Sequence, residues 1–229
     1  IEYFDPDLDL RLNVHSIAIG AGSAETPFET DILGNPRIYP EGSNSDIGCF
    51  ENALDNPYDD VVALYVDEMG DDQFGTGSID NPFNTVVYAA KNTHDQDSVI
   101  VFPGSYSENE TISPNSNQQN LYFASEDPEN PANIHIDNSL GFDINTSITF
   151  KNLTLSSADT TIYSRAEILE LENISASKII TLNGGINAEN LGASNIHNYL
   201  ENNYGQTLNY NINNSSIHNL NFSNSLSDD

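Results

Sequence analysis

An asparagine recurs at 152, 173, 190 and 214, each time inside a short, partly apolar fragment: Phe150-Lys151-Asn152-Leu153, Leu171-Glu172-Asn173-Ile174, Ala188-Glu189-Asn190-Leu191 and Ile212-Asn213-Asn214-Ser215. The steps are 21, 17 and 24 residues, and the first three copies run on to a serine at 156 or 157, at 177 and at 194. A unit of about twenty residues with two or three short strands cannot bury its own apolar face, so it must stack on its neighbours. The expected result is a winding chain, an all-β solenoid. In such a stack the asparagines of equivalent corners can join into a ladder, each amide bonding the copy above and below. The competing reading is a meander sheet with coincidental spacing.

Composition supports the β reading. Asparagine accounts for 32 of 229 residues, most of them after residue 100. It competes with helical backbone through its own side-chain hydrogen bonds and tolerates left-handed corners. Strand-like fragments recur at Ser98–Phe102, Asn120–Ala124, Asn133–Asp137, Ile148–Leu155, Ile168–Leu171 and Lys178–Leu182. One helix is expected over about 82–92, with Pro82 at its first position, Asn81 as its cap and Phe83, Val86, Val87 and Ala90 on one face. Residues 1–51 read as short strands and turns punctuated by Gly, Pro and Asn, with strand fragments at Leu8–Leu12, Ser16–Ile19, Arg37–Tyr39 and Asp46–Phe50. Residues 52–60 read as a linker, and a strand is expected at Val61–Val66.

Thirty-five acidic residues against six basic ones give a formal charge of −29. That charge excludes sequence-independent binding to nucleic-acid backbones or anionic membranes as a main activity. No apolar run approaches the roughly 20 residues of a membrane span. A single cysteine, Cys49, excludes an internal disulfide framework and reads as a small core residue. The chain starts at Ile1 without a signal-like segment, which reads as a piece of something larger.

Two segments carry resemblances. Leu64-Tyr65-Val66-Asp67, Gly70-Asp71-Asp72, Gly75-Thr76-Gly77-Ser78, Asn81-Pro82-Phe83-Asn84-Thr85-Val86 and Asp97 through Tyr106 follow one another as in right-handed parallel β-helix proteins of the pectin-lyase-like superfamily. This resemblance implies that residues 61–229 form such a helix, with the 82–92 helix plugging its amino end. Leu10-Arg11-Leu12, Ser16 through Gly22, Thr30 through Arg37 and Asp46 through Glu51 resemble the choice-of-anchor module that closes β-helices in bacterial surface and secreted proteins. It departs from that pattern at Ile17, Gly20 and Cys49. An extracellular or cell-surface, bacterial location is implied. Two arrangements follow: a slice through a tandem array, or a module of one copy covering the last coil of the next. Both expect end-to-end contacts, because an uncapped coil leaves unpaired backbone groups.

Chemistry is sparse. Enzymes that resemble this scaffold cleave uronate polysaccharides, which here would use Arg165 or Lys178 to neutralise a carboxylate and Tyr163 or a histidine to move the proton. Only Lys151, Arg165 and Lys178 supply cations in the expected coils, and the acidic surface repels anionic polymers. No catalytic residue is assigned. His197 and His218, each in an Ile-His-Asn triplet, are candidates to stack on consecutive coils, with His135 also following Ile. Asp67, Asp71, Asp72 and Asp80 form an acidic, glycine-containing loop that is the candidate calcium site, against the plainer reading of a solvated surface. The function expected is a non-catalytic structural segment; the alternative is a piece of a carbohydrate-active or glycan-binding protein.

Overall fold

The computed structural model describes residue 12, residues 16–52, residue 54 and residues 63–114, 120–182, 184–199 and 210–223. The chain forms two compact units, one comprising 1–60 with 73–76 and the other 61–72 with 77–229.

The larger unit is a parallel β-solenoid of about five turns with almost no helix. It starts at β1 (Ala63–Val66), makes α1 (Val86–Lys91), and winds through β2 (Ser98–Val101), β3 (Ser105–Glu108), β4 (Leu121–Ser125), β5 (Ala132–Ile136) and β6 (Leu140–Ile144). Later rungs run their strands together around the corners as β7 (Ile148–Ser157), β8 (Thr160–Ser164), β9 (Ile168–Leu182), β10 (Gly185–Glu189), β11 (Gly192–Tyr199), β12 (Tyr210–Asn213) and β13 (Ser216–Ser223). Every pairing between these strands is parallel. The rungs present three faces.

Alternation along each strand sends every second residue inward. On the first face Leu64, Val99, Phe123, Phe150, Leu171 and Ala188 stack in register and are buried. The second face stacks Tyr106, Ile134, Leu155, Ala176 and Ala193; the third stacks Ile112, Phe142, Ile162, Ile179 and Ile196. Phe123, Phe142 and Phe150 meet at the centre, with ring centroids 5.0–6.1 Å apart. No rung could bury these rings alone. The meander reading is excluded, since a meander pairs its strands antiparallel.

The first and second faces meet at a corner occupied by Asn152, Asn173, Asn190 and Asn214, whose φ angles are 54°, 52°, 53° and 48°. A left-handed residue turns the chain there in one step, and asparagine tolerates that conformation better than any other residue except glycine. The irregular spacing is absorbed between corners, because the registers align all four copies.

The helix is shorter than the sequence suggests and starts later. Pro82 and Asn81 lie outside it, and Thr85 is its cap, accepting from Tyr88 N at 3.1 Å. Phe83 explains the delay, since its N–H and C=O bond Tyr65 and Asp67 along the edge of β1 and are unavailable to a helix. Gly77 (φ 74°) lets this segment approach, as a Cβ there would lie 2.6 Å from the Phe83 ring.

The smaller unit differs from expectation. Among its described residues there is one isolated bridge, Thr30 to Pro36, and Ser16–Ile19, Arg37–Tyr39 and Asp46–Phe50 are turns and bends rather than strands. It is not β-rich. Only Ile19 and Phe50 are buried apolar side chains within 16–52, so side-chain acceptors organise the backbone instead. Asp31 accepts from Leu33 N, Asn35 N, Asn35 Nδ2 and Glu51 N at 2.8–3.1 Å; Asp46 accepts from Gly20 N and Asn52 N. Cys49 is exposed, with its neighbour Phe50 taking the interior position. Residues 8–11, most of the 52–60 linker and Val61–Val62 lie outside the described residues.

Candidate functional site

The outer surface of the solenoid is built from the residues that alternate with the core, so each rung offers two or three side chains per face at one strand spacing, about 4.8 Å, from the next. On the third face Asp143, Tyr163, Ile180, His197 and Asn221 form one outward column. Arg165 pairs with Asp143, bonds Asn145 Oδ1 and lies with its guanidinium 5.0 Å from the Tyr163 ring centroid. Lys178 pairs with Asp159 at 3.3 Å. Thus Arg165 and Tyr163 are brought together, but both contacts hold Arg165 to its own surroundings.

On the first face Lys151 pairs with Glu172 of the next rung at 2.9 Å, and this carboxylate holds the ammonium above its ordinary value. Glu170 accepts from Asn187 at 2.8 Å, and Glu172 stands beside Glu189 in register. Glu170, Glu172, Asn187 and Glu189, with Thr149, Asn211 and Asn213, line a concavity of about 270 Å³. Tyr65 and Tyr122 lie in the same outward columns toward the other end, both partly exposed. The sequence offers no direct sign of this groove, because it depends on register between rungs.

The described basic side chains are all engaged. Arg37 pairs with Glu51 (3.3 Å), Lys91 with Glu110 (2.7 Å), and Lys151, Arg165 and Lys178 as above. The last three bridge successive rungs.

The asparagine corners are linked directly. Asn173 Nδ2 donates to Asn152 Oδ1 at 2.7 Å, and Asn190 Nδ2 donates to Asn173 Oδ1 at 2.7 Å. Asn214 shares the corner conformation, and its neighbour Asn213 accepts from Asn190 N at 3.1 Å. The histidines are arranged differently from a stack: the 24-residue step places Asn221, not His218, beside His197, and Nε2 of that ring lies 3.2 Å from Asn221 Nδ2. His135 meets Ser156 (2.9 Å) and Asp137 (3.1 Å).

The acidic loop is used as bracing. Asp72 accepts from Asn84 N, Thr85 N and Thr85 Oγ1 at 2.7–3.0 Å, fixing the start of α1. Asp67 accepts from Met69 N within its own turn, while Glu68 accepts from Ser105 N. Glu108, buried beneath the helix, accepts from Val86 N at 2.7 Å, and burial pushes its carboxyl up. Asp71 and Asp80 belong to the same loop, but no group of three or more His, Cys, Asp or Glu among the described residues is placed to hold a metal ion.

Sequence reasoning also missed a polar column inside the third face, where Ser164, Thr181 and Asn198 are buried in register. Asn198 Nδ2 donates to Thr181 Oγ1 and to Gly184 O, which satisfies groups that water cannot reach.

No protein-family model, curated protein or solved structure matches this chain. The parallel solenoid therefore stands on its own registers.

Proposed function

We propose that this chain is a non-catalytic structural segment of an extracellular or cell-surface protein, a stalk, filament or spacer whose rungs continue or assemble end to end. One observation carries the reading. Lys151, Arg165 and Lys178, the cations that cleavage of an acidic polysaccharide would require, each form an ion pair to a carboxylate on a neighbouring rung. Their charge is spent holding rungs together. A substrate carboxylate would have to displace a partner already in place, in a field made repulsive by the −29 charge.

The finer assignment follows from sequence motifs. The run from Leu64 to Tyr106 supports a pectin-lyase-like β-helix with α1 at its amino end, and the motifs between Leu10 and Glu51 support a choice-of-anchor-like module. Electron microscopy of the native particle tests the role: an extended rod or fibre is expected. A compact globule that releases unsaturated products from a uronate polymer would overturn it.

A second reading, glycan binding, rests on the first-face groove, where Glu170, Glu172, Glu189 and three amides line a concavity in line with Tyr122. Hydroxyl-rich chains suit such donors and acceptors. Glycan-array binding abolished by Glu170→Ala would favour it.

A further inference from the structure

The three faces of the solenoid differ in charge. Outward columns on the first face carry Lys151, Glu170, Glu172 and Glu189, and those on the third carry Asp143 and Lys178. On the second face one outward row runs in register through Ser105, Asn133, Thr154, Ser175, Gly192 and Ser216, and another through Ser107, His135 and Ser156. These rows hold no Asp, Glu, Lys or Arg, in a chain with 35 acids, and no Phe or Tyr. From Asn133 to Ser175 each strand has a described neighbour on both sides, so the surface does not depend on either end of the solenoid.

Its hydroxyls are available. Ser105, Ser107, Ser175 and Ser216 are exposed and Thr154 is partly so. Among the described residues these five side chains form no hydrogen bond, whereas Ser156 meets His135 at 2.9 Å and Ser177 meets Thr161 at 2.7 Å. A hydroxyl both donates and accepts, so the rows suit an uncharged partner that itself offers hydroxyls. They repeat at every rung, about 4.8 Å, and stand about 6.6 Å apart along the strands. The rung spacing is close to the advance of one sugar unit in an extended β-1,4-linked chain. Such a chain laid along the solenoid axis meets a serine, threonine or asparagine at nearly every unit. Each contact is weak, but successive units bind as linked sites. With no ring to stack on, the sugars are held edge-on through their hydroxyls. Acidic polymers are repelled by the −29 charge, and these rows offer a basic polymer no ion pair.

We infer that the second face binds an uncharged, extended β-1,4-linked polysaccharide along its length. This goes beyond the structural role proposed above and uses a different surface from the first-face groove. Its failure would leave the structural role standing, since particle shape tests that role separately.

Co-sedimentation of the full 229-residue chain with insoluble cellulose, β-1,4-mannan and chitin tests this, with chitosan as the charged counterpart. Retention on at least one uncharged polymer is expected, unchanged by raised salt because no ion pair is involved. Thr154→Val/Ser175→Ala and, independently, Ser105→Ala/Ser107→Ala remove hydroxyls from outward strand positions. Each pair should weaken retention about tenfold or more, with circular dichroism confirming that the variant is folded. Ile180→Ala, in the outward column of the third face, should leave retention unchanged. Retention on none of the uncharged polymers would overturn the inference, as would retention confined to chitosan or abolished by salt. Binding indifferent to both second-face variants would overturn it too, and loss with Glu170→Ala alone would place the polymer in the first-face groove instead.

Discussion

Asn173 donates its side-chain amide to Asn152 on one side and accepts the amide of Asn190 on the other, both at 2.7 Å, from a backbone held at φ 52°. One residue type thus meets two demands, a left-handed corner and a continuous side-chain ladder. Glycine would satisfy only the first.

Replacing Asn173 separates those demands. Asn173→Ala should cost about 3 kcal/mol, combining two lost hydrogen bonds with the strain of a left-handed alanine. Asn173→Gly should cost less, about 2 kcal/mol, because only the bonds are lost. Urea denaturation of both variants checks the order; equal midpoints for wild type and Asn173→Ala would refute the ladder's contribution.

The aromatic centre should be the most sensitive site. Phe150 is fully buried and touches Phe123 and Phe142, so Phe150→Ala should destabilise the solenoid by about 3–5 kcal/mol. Its rung lies between others that depend on it, so the loss should appear as lower stability of the whole solenoid and not as local fraying. Thermal unfolding followed by circular dichroism measures this.

Asp72 should act on α1. Asp72→Ala removes the acceptor for Asn84 N, Thr85 N and Thr85 Oγ1. Hydrogen exchange at the Asn84 and Thr85 amides should accelerate, while exchange in β9 stays unchanged. Acceleration throughout would indicate that Asp72 supports the whole fold instead.

The smaller unit should respond to pH in two directions. Burial raises the Asp46 and Glu51 carboxyls, so the stability they carry is complete below the ordinary carboxylate value of about 4 and is lost as pH rises through their raised values. Burial also works against Asp31, yet backbone donors from Glu51, Asn35 and Leu33 hold its carboxyl below the usual range. Its contribution is present above about 4 and is lost as pH falls through its lowered value. Carbon-13 titration of the side-chain carboxyls should therefore place Asp46 and Glu51 above the ordinary value and Asp31 below it. The reverse order would contradict the arrangement.

The corners and strands were legible because they impose requirements on single residues. Left-handed turns select Asn, and buried columns select Phe, Ile and Leu at alternating positions, as at Phe150 and Leu171. What depends on distant partners was not legible. The helix start shifts from Pro82 to Val86 because Tyr65 claims the backbone of Phe83. His197 and His218 fall out of line because the last step is 24 residues. The strands expected within 16–52 give way to turns because Asp31 and Asp46 take the backbone donors that a sheet would use. The first-face groove and the role of Glu108 also arise only once rungs are in register.

The register itself is open to direct test by cross-linking. Thr154 and Ser175 face each other on adjacent parallel strands, both pointing outward from the second face. Neighbouring strands lie about 4.8 Å apart, within the Cα separation a disulfide accepts. With Cys49 replaced by Ser, the Thr154→Cys/Ser175→Cys variant should oxidise readily to an intramolecular disulfide in the folded chain. A pair that stays reduced under conditions that oxidise a control pair at Thr149 and Glu170, or failure of both pairs, would contradict the stacked rungs.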